Sequence, residues 1–298
     1  MASGPLHAGE LEIGSSLVSA LLAEQVGRWA DLPLQRVSSP GTSNLLYRLG
    51  TDLVVRLPRT RGSGAVLRKE RRWLPRLSSL LPLETPTVVF SGRPTPYFPH
   101  PWGIYRWIEG DALGSSGSGD LSAAEALAGF VQALWRMDAS GGPRPGAHNF
   151  YRGVDLARRD REVRRALPLL PPGTDRPRLE GAWEAALRRP IWDGPPRWIH
   201  GDLLPFNVLI REGRLVAVID FGGLGVGDPA TDLLPAWAVF GSAARSRFRE
   251  ALGVDAATWE RGRGWALSVA AIALPYYLNS NPPLADLATA MLSSALEA

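Results

Sequence analysis

Three polar side chains, Asp202, Asn207 and Asp220, each stand at the edge of a short apolar run in the stretch RWIHGDLLPFNVLIREGRLVAVIDFGGLGVG, residues 197–227. Asp202 follows Trp198-Ile199-His200, Asn207 opens Val208-Leu209-Ile210, and Asp220 closes Leu215–Ile219. Glu212-Gly213, between the second and third runs, is a turn signal for two strands of hairpin length. Such a hairpin sets Asn207, at the start of one strand, beside Asp220, at the end of its partner, with Asp202 on the loop leading in. A carboxylate and an amide oxygen that converge on one point suit Mg²⁺ when substrate phosphates supply its other ligands. A second carboxylate close by can orient a hydroxyl and accept its proton. That is the inventory for phosphoryl transfer, in which catalysis is mostly positioning and charge neutralisation. The bland alternative is three loop residues that cap turns beside a hairpin.

The order H-x-D-x-x-x-x-N followed by D-F-G argues against the bland reading, because it matches the kinase catalytic-loop and metal-binding signature in type and sequence. His200-Gly201-Asp202-Leu203-Leu204-Pro205-Phe206-Asn207, then Ile219-Asp220-Phe221-Gly222, then Gly227-Asp228-Pro229-Ala230-Thr231-Asp232-Leu233, resembles the aminoglycoside phosphotransferase family. H-G-D in place of H-R-D and the downstream G-D-P-x-x-D-L separate it from protein kinases, and no A-P-E follows the D-F-G. The match is firm over Trp198–Leu234 and looser over the N-terminal half. The resemblance implies an α/β (α+β) protein of protein-kinase-like, two-lobed fold. Residues 1–108 would form a small sheet-rich nucleotide-binding lobe, and residues 109–298 a larger, mainly helical lobe for catalysis and acceptor binding. It further implies transfer of the γ-phosphoryl of ATP or GTP, with Mg²⁺, to a hydroxyl of a small molecule, an antibiotic for several members. Asp202 would be the catalytic carboxylate, and Asn207 and Asp220 the metal ligands. A kinase for an ordinary hydroxylated metabolite and a nucleotide-binding pseudokinase are the alternatives.

In the N-terminal half, the small polar loop Ser39–Asn44 opens two strand-like runs, Leu45–Leu49 and Leu53–Leu57, joined through Gly50-Thr51-Asp52. This resembles the nucleotide-covering hairpin of the family, whose loop would lay backbone N–H groups and Ser43 or Asn44 near phosphates. An ordinary hairpin is the alternative. Where a kinase places a lysine on the next strand, this chain has Arg56; its single lysine, Lys69, neighbours Glu70 on the following helix. Arginine still offers charge and a bidentate grip on phosphate, in a fixed fork that lysine lacks. Glu70 is the candidate partner of Arg56, as the kinase helix glutamate pairs with its lysine. A surface arginine and a solvent-facing glutamate are the structural alternatives. Backbone groups near Trp107 and Ile108 would meet the purine edge, with a hinge at Arg106–Gly110.

On the acceptor side, Asn149, Tyr151 and Arg152 lie in a Gly/Pro-rich polar loop, residues 139–153, and a plain connecting loop is the competing reading. Asp228 precedes Pro229 as a helix cap does. Asp232, one turn further on, could face the acceptor or support the catalytic loop. His200 reads as architecture that holds the Asp202 loop.

The elements that must position these residues follow from periodicity. Apolar stripes predict helices over Ser15–Trp29, Leu67–Leu81 with Pro75 interrupting it, and Leu121–Asp138, started by Asp120 or Ser122. Further helices are predicted over Val154–Leu167, Arg176–Leu187, Ala230–Phe240, Ala256–Leu278 and Leu284–Leu296. Strands are predicted at Pro33–Val37, Leu45–Leu49, Leu53–Leu57, Thr87–Phe90 and Trp102–Trp107. The Gly/Ser-rich run Gly110–Gly119 divides a strand-rich half from a helix-rich one, and Met1–Gly9 reads as a loose or tag-derived lead.

Composition narrows the class. With 298 residues, 45% hydrophobic and 11 Trp, the chain can build a substantial core. The absence of cysteine rules out disulfides, thiolate metal sites and cysteine nucleophiles, and suits a reducing cytoplasm. The first 25 residues lack the basic start and apolar core of a signal peptide. The longest apolar stretch, Trp265–Leu278, holds Ser268 and Pro275 and falls short of the roughly 20 residues of a membrane span. The formal net charge of +4 comes almost wholly from arginine. Clusters such as Arg68–Arg72 and Arg158–Arg165 alternate with acids and apolar residues as solvated helix faces do, so neither a nucleic-acid platform nor a membrane surface is expected.

Overall fold

The structure, a computed structural model, describes residues 11–39, 41, 43–113 and 121–297. The Met1–Gly9 lead, Pro40, Thr42, Gly114–Gly119 and the Asp120 cap lie outside the described residues. The chain divides into two compact units, one of Met1–Ser79 with Glu84–Glu109 and the other of Leu80–Leu83 with Gly110–Ala298.

The first unit is built on an antiparallel sheet ordered β1-β2-β3-β5-β4. Its strands are β1 (Leu34–Arg36), β2 (Asn44–Leu49), β3 (Leu53–Pro58), β4 (Val88–Gly92) and β5 (Trp102–Arg106), and its helices are α1 (Ser15–Gln25) and α2 (Arg61–Leu77). Side chains alternate across a strand, so each strand feeds two layers. On one face Leu45, Tyr47 and Leu49 of β2 and Leu53, Val55 and Leu57 of β3 pack with Val18, Leu21 and Leu22 of α1. On the other face Val54 of β3 packs with Leu67 of α2 and Tyr105 of β5. Arg56 has the parity of Val54 and therefore enters the α2 layer. Helix α2 starts six residues earlier than the apolar stripe predicts, because Thr60 caps it, its Oγ1 accepting from Ser63 N–H at 3.4 Å. Gly62 and Gly64 hide that first turn from a propensity reading. Pro75 does not interrupt the helix. It falls in the last turn, and a 3₁₀ turn at Ser78–Leu80 follows.

The second unit is mainly helical, with α3 (Leu121–Arg136), α4 (Asp160–Ala166), α5 (Arg176–Leu187), α6 (Pro235–Ala238), α7 (Ser242–Leu252), α8 (Ala256–Tyr277) and α9 (Pro282–Leu296). Its strands are short: β6 (Asp111–Ala112) pairs with β8 (Val208–Arg211), β8 pairs with β9 (Arg214–Val218), and β7 (Arg197–Ile199) pairs with β10 (Gly225–Gly227). Helix α8 packs on α9, α5 and α4, and α3 packs on α7. Phe130, Trp183, Trp198, Phe221, Phe248 and Trp265 are fully buried among these elements. Among the described residues no helix is long and apolar enough to cross a membrane.

Two predicted helices are shorter than expected. Within Val154–Leu167 the first turn is 3₁₀, Leu156–Arg159, capped by Asp155. Within Ala230–Phe240, Pro235 divides a 3₁₀ turn, Pro229–Leu233, from the single turn of α6. Helix α7 was not expected at all. Its buried stripe is only Ala244, Phe248 and Leu252, too sparse to stand out among its arginines.

Candidate active site

The hairpin of β8 and β9 is closed by Glu212 and Gly213, both left-handed at φ 52° and 74°. Two such residues form the primed turn that matches strand twist, and glycine makes the second one cheap. The register pairs Val208 with Val218. One step beyond, Ile219 N–H donates to Asn207 C=O at 2.8 Å, which sets Asn207 beside the segment carrying Asp220. The Asn207 side chain turns towards Asp202, its Nδ2 donating to the Asp202 carbonyl at 2.9 Å and to Oδ2 at 3.1 Å. Both amide N–H groups thus go to Asp202, and the amide oxygen is left to accept or to ligate. Asp220 is itself left-handed, φ 58° and ψ 73°, and its Oδ1 accepts from Gly222 N–H at 3.3 Å.

Two glycines explain how the loops that carry these acids come together. Gly201 has φ +78°, and a Cβ there would lie 2.5 Å from Gly223 O; a Cβ on Gly223 would lie 2.7 Å from His200 O. The His200–Asp202 and Asp220–Gly223 segments therefore meet backbone to backbone, which no side chain at either position would allow. The H-G-D spelling and the Gly222-Gly223 pair after Asp220-Phe221 are two halves of one contact.

His200 joins the same two segments. Its Nδ1 accepts from Asp202 N–H at 3.2 Å, Nε2 lies 3.2 Å from Ile219 C=O, and the ring meets Phe221 edge-on at 4.6 Å. An acceptor at Nδ1 requires the proton on Nε2, which then donates to the carbonyl. With both ring nitrogens engaged by backbone, His200 holds the loop and has no nitrogen left to act as a base.

Asp232 and Asn149 do not have the exposure an acceptor-binding group needs. Asp232 is completely buried; Oδ1 accepts from Gly201 N–H at 2.7 Å and Oδ2 from His200 N–H at 3.0 Å. Of the two roles considered for it, the geometry is that of loop support. Burial pushes its carboxyl up to about 7, with the Gly201 and His200 N–H groups pulling the other way. Asn149 is also completely buried. Its Oδ1 accepts from Gly146 N–H at 2.9 Å, and Nδ2 donates to the carbonyls of Arg152 at 3.0 Å and Gly223 at 3.4 Å. It fastens the 146–152 turn to the Gly223 loop. Asp228 caps its turn, accepting from Ala230 N–H at 3.0 Å, and also forms a buried ion pair with Arg261 at 2.8 Å. Nothing in the sequence flags Arg261, which lies far along the chain on an apolar helix.

Arg152 is buried, and its guanidinium lies 3.7 Å from Asp202 Oδ1. The Asp202 carboxyl is pushed up to about 6, first by desolvation; Arg152 opposes the rise, Asp220 adds to it, and the Asn207 hydrogen bond opposes it. Loss of water and a neighbouring carboxylate thus move Asp202 towards the range of a general base.

In the first unit, Arg56 and Glu70 form a buried, bidentate pair at 3.0 and 3.4 Å, and the guanidinium lies over the Tyr105 ring at 4.9 Å. The Asn44 side-chain oxygen is buried without a hydrogen-bond partner, and Ser43 C=O accepts from Arg59 N–H at 3.1 Å. Trp107 has one of its two backbone hydrogen-bonding groups engaged. Its backbone N–H donates to Asp52 C=O at 2.8 Å and is not available to a purine edge, while its ring lies under Arg48. The neighbouring Ile108 makes no hydrogen bond among the described residues.

The donor set suits a hard cation: an amide oxygen and a carboxylate, with no cluster of three or more His, Cys, Asp or Glu side chains among the described residues. Two protein oxygens are the complement Mg²⁺ takes when phosphates and water fill its other positions.

The chain is similar in fold to several solved structures. One is the GDP complex of wild-type aminoglycoside 2'-phosphotransferase-IIIa, with 21% identity and a TM-score of 0.75 over 96% of this chain and 99% of that one. Another is the GDP and kanamycin complex of APH(2")-IIia, with 21% identity and a TM-score of 0.74 over 93% and 97% of the two chains. A third is the apoenzyme of macrolide 2'-phosphotransferase MphH from Brachybacterium faecium, with 20% identity and a TM-score of 0.65 over 93% and 97%. No curated protein sequence matches the chain. The profile of the phosphotransferase enzyme family matches residues 35–265. With the two-unit, kinase-like architecture and the H-G-D and D-F-G loops in place, the chain belongs to this family of phosphotransferase enzymes.

Proposed function

We propose that this phosphotransferase moves the γ-phosphoryl of ATP or GTP to a hydroxyl of a small molecule, an antibiotic that is thereby inactivated, and that it works in the cytoplasm. The observation that carries this reading is the Asp202–Asn207 hydrogen bond, with Asp220 tied to the same pair of loops. Asp202 orients the acceptor hydroxyl and takes its proton as the new P–O bond forms. Asn207, through the amide oxygen its hydrogen bonds leave over, and Asp220 hold Mg²⁺, which neutralises phosphate charge when bound. Arg56, steadied by Glu70, together with Ser43 and Asn44, serves the nucleotide phosphates, and backbone at Ile108 serves the base. His200, Asn149 and Asp232 touch no reactant and keep the loops in register.

Aminoglycosides are polycations, and their binding favours acidic surroundings. The turn that carries Arg152 instead presents two exposed aromatic residues, Phe150 and Tyr151. This supports an acceptor less cationic than an aminoglycoside. The test is a mass-spectrometric screen of aminoglycosides, macrolides and hydroxylated metabolites for the gain of one phosphoryl group. Phosphorylation of an antibiotic by the wild type and not by Asp202→Asn is the expected result. Transfer to a metabolite alone would replace the antibiotic reading.

A further inference from the structure

The side chain of Arg152 is buried among polar and aromatic groups, yet none of its guanidinium N–H groups makes a hydrogen bond among the described residues. Its Nε is enclosed without a partner. Its one close anion among the described residues, Asp202 Oδ1, stands at 3.7 Å, too far for a hydrogen bond, and the Trp265 ring lies 5.8 Å from the guanidinium carbon. A buried guanidinium is ordinarily retained for the bidentate bonds it makes, and one that makes none is an exception that calls for a missing partner.

The chain also accepts strain at this point. Phe150 and Tyr151 are both left-handed, at φ 54° and 57°, and Gly153 follows at +84°. Two consecutive non-glycine residues in that region are held there against their steric preference. Asn149 then locks the turn by holding the Arg152 carbonyl. A second cation, Arg159, stands near enough to depress the Arg152 pKa, although desolvation is the larger cause. Strain, desolvation and like charge all oppose this placement, and the 3.7 Å contact with Asp202 does not offset them.

We infer that Arg152 is a catalytic residue whose guanidinium binds the phosphoryl group in flight, an arginine supplied by the chain itself to the transition state. The inference rests on the phosphotransfer reading above. The acceptor oxygen attacks the γ-phosphorus, its proton goes to Asp202, and the bond from phosphorus to the β–γ bridging oxygen breaks, its electron pair leaving with the nucleoside diphosphate. During that exchange charge spreads over the three equatorial oxygens of the transferring group. These oxygens lie next to the attacked hydroxyl, and hence next to Asp202, where the open donors of Arg152 are. Two parallel N–H···O bonds to that group would supply the partners the guanidinium lacks, and an arginine so placed contributes about 10³–10⁵ in rate.

The acceptor need not be known to test this. Magnesium complexes of ADP and GDP are titrated calorimetrically into the full chain, with and without aluminium fluoride, which occupies the position of the transferring phosphoryl. The wild type should bind the fluoride-loaded diphosphate at least tenfold more tightly than the diphosphate alone. Arg152→Ala and Arg152→Lys should lose that gain while keeping affinity for the plain diphosphate within about threefold. Intrinsic hydrolysis of the triphosphate, with water as acceptor, should fall by about 10²–10³ in kcat with KM for the nucleotide little changed, and added guanidinium ion should restore part of it in Arg152→Ala. Retention of the aluminium fluoride gain in both variants would overturn the inference and leave the phosphotransfer reading intact. So would full recovery by lysine, which would mean that any cation opposite Asp202 suffices. A wild type that binds neither diphosphate would overturn the phosphotransfer reading, and this inference with it.

Discussion

At the scale of single residues, the site is a set of tasks divided by exposure. Asp202 keeps part of its carboxylate in reach of solvent, whereas Asp232, Asn149 and Glu70 are completely buried and act only on other protein groups. Asp202→Asn should lower turnover by about 10³ or more while diphosphate affinity stays within a few-fold, because the loss falls on proton transfer and hydroxyl orientation; steady-state kinetics beside calorimetry would show it. Asp232 leads to a pH effect on stability. Folded, its carboxyl titrates at about 7 against 3.8 for an ordinary aspartate. Between these values the folded chain binds a proton that the unfolded chain does not, so the contribution of this group to stability falls as pH rises from about 4 to about 7, by up to a few kcal/mol. Denaturant midpoints across that range should decline more steeply for the wild type than for Asp232→Asn. An equal slope in the two proteins would refute it. Part of this scale was legible in the sequence: the hairpin sets Asn207 beside the segment that carries Asp220, and the Asn207 amide reaches Asp202. What could not be read was burial. A sequence gives Asp232 and Asn149 polar side chains and a place near the motif, but the bonds that occupy them come from segments distant in the chain.

At the scale of elements, the site depends on a hairpin of the right length and on two loops that touch. The hairpin was readable, because Glu212-Gly213 between apolar runs is a local signal; its final register was not, since a bulge between Leu209 and Ile210 shifts the pairing by one residue and sets Val208 opposite Val218. The loop contact was not read, although Gly201 and Gly223 stand in plain view, since close approach is a property of the two segments together. Gly223→Ala should therefore act out of proportion to its size. The new methyl meets His200 O at 2.7 Å, and displacement of the catalytic loops should cost about 10² in turnover and about 1–3 kcal/mol in stability. Gly181 on α5, where an added Cβ meets nothing within 4 Å, is the control. Alanine there should raise stability by up to about 1 kcal/mol and leave turnover unchanged. Thermal denaturation and initial rates on the two variants separate the effects. The early start of α2 and the presence of α7 have local causes: glycines stand in the first turn of α2, and the buried stripe of α7, Ala244, Phe248 and Leu252, is sparse among exposed arginines.

At the scale of the molecule, two units carry complementary chemistry, and each is neutralised in its own way. In the first, Arg56 is already paired with Glu70 and stacked on Tyr105, so its charge is held in a fixed place before any ligand arrives. In the second, the Asp202 carboxyl is raised by burial and by the neighbouring Asp220 charge, and Arg152 lies 3.7 Å from it. Nucleotide and metal should therefore stabilise the protein together. Mg²⁺ with ATP or GTP at about 100 times its dissociation constant should add about 2.7 kcal/mol, a rise in Tm of several degrees, with clearly less from either component alone. Differential scanning fluorimetry with each nucleotide, with and without EDTA, checks this. Equal shifts with and without metal would count against Asn207 and Asp220 as ligands. The two-lobed, kinase-like fold was implied by the family resemblance of the H-G-D and D-F-G motifs, and the difference in period between the strand-rich and helix-rich halves agrees with it.

The backbone seam between Gly201 and Gly223 has one more consequence. With no side chain between them to flex or change rotamer, the two loops behave as one stiff piece, pinned by the His200 ring. If Asp202 and Asp220 serve as proposed, whatever draws Asp220 towards a cation carries Asp202 along with it, so that arming the base and seating the metal become a single mechanical event.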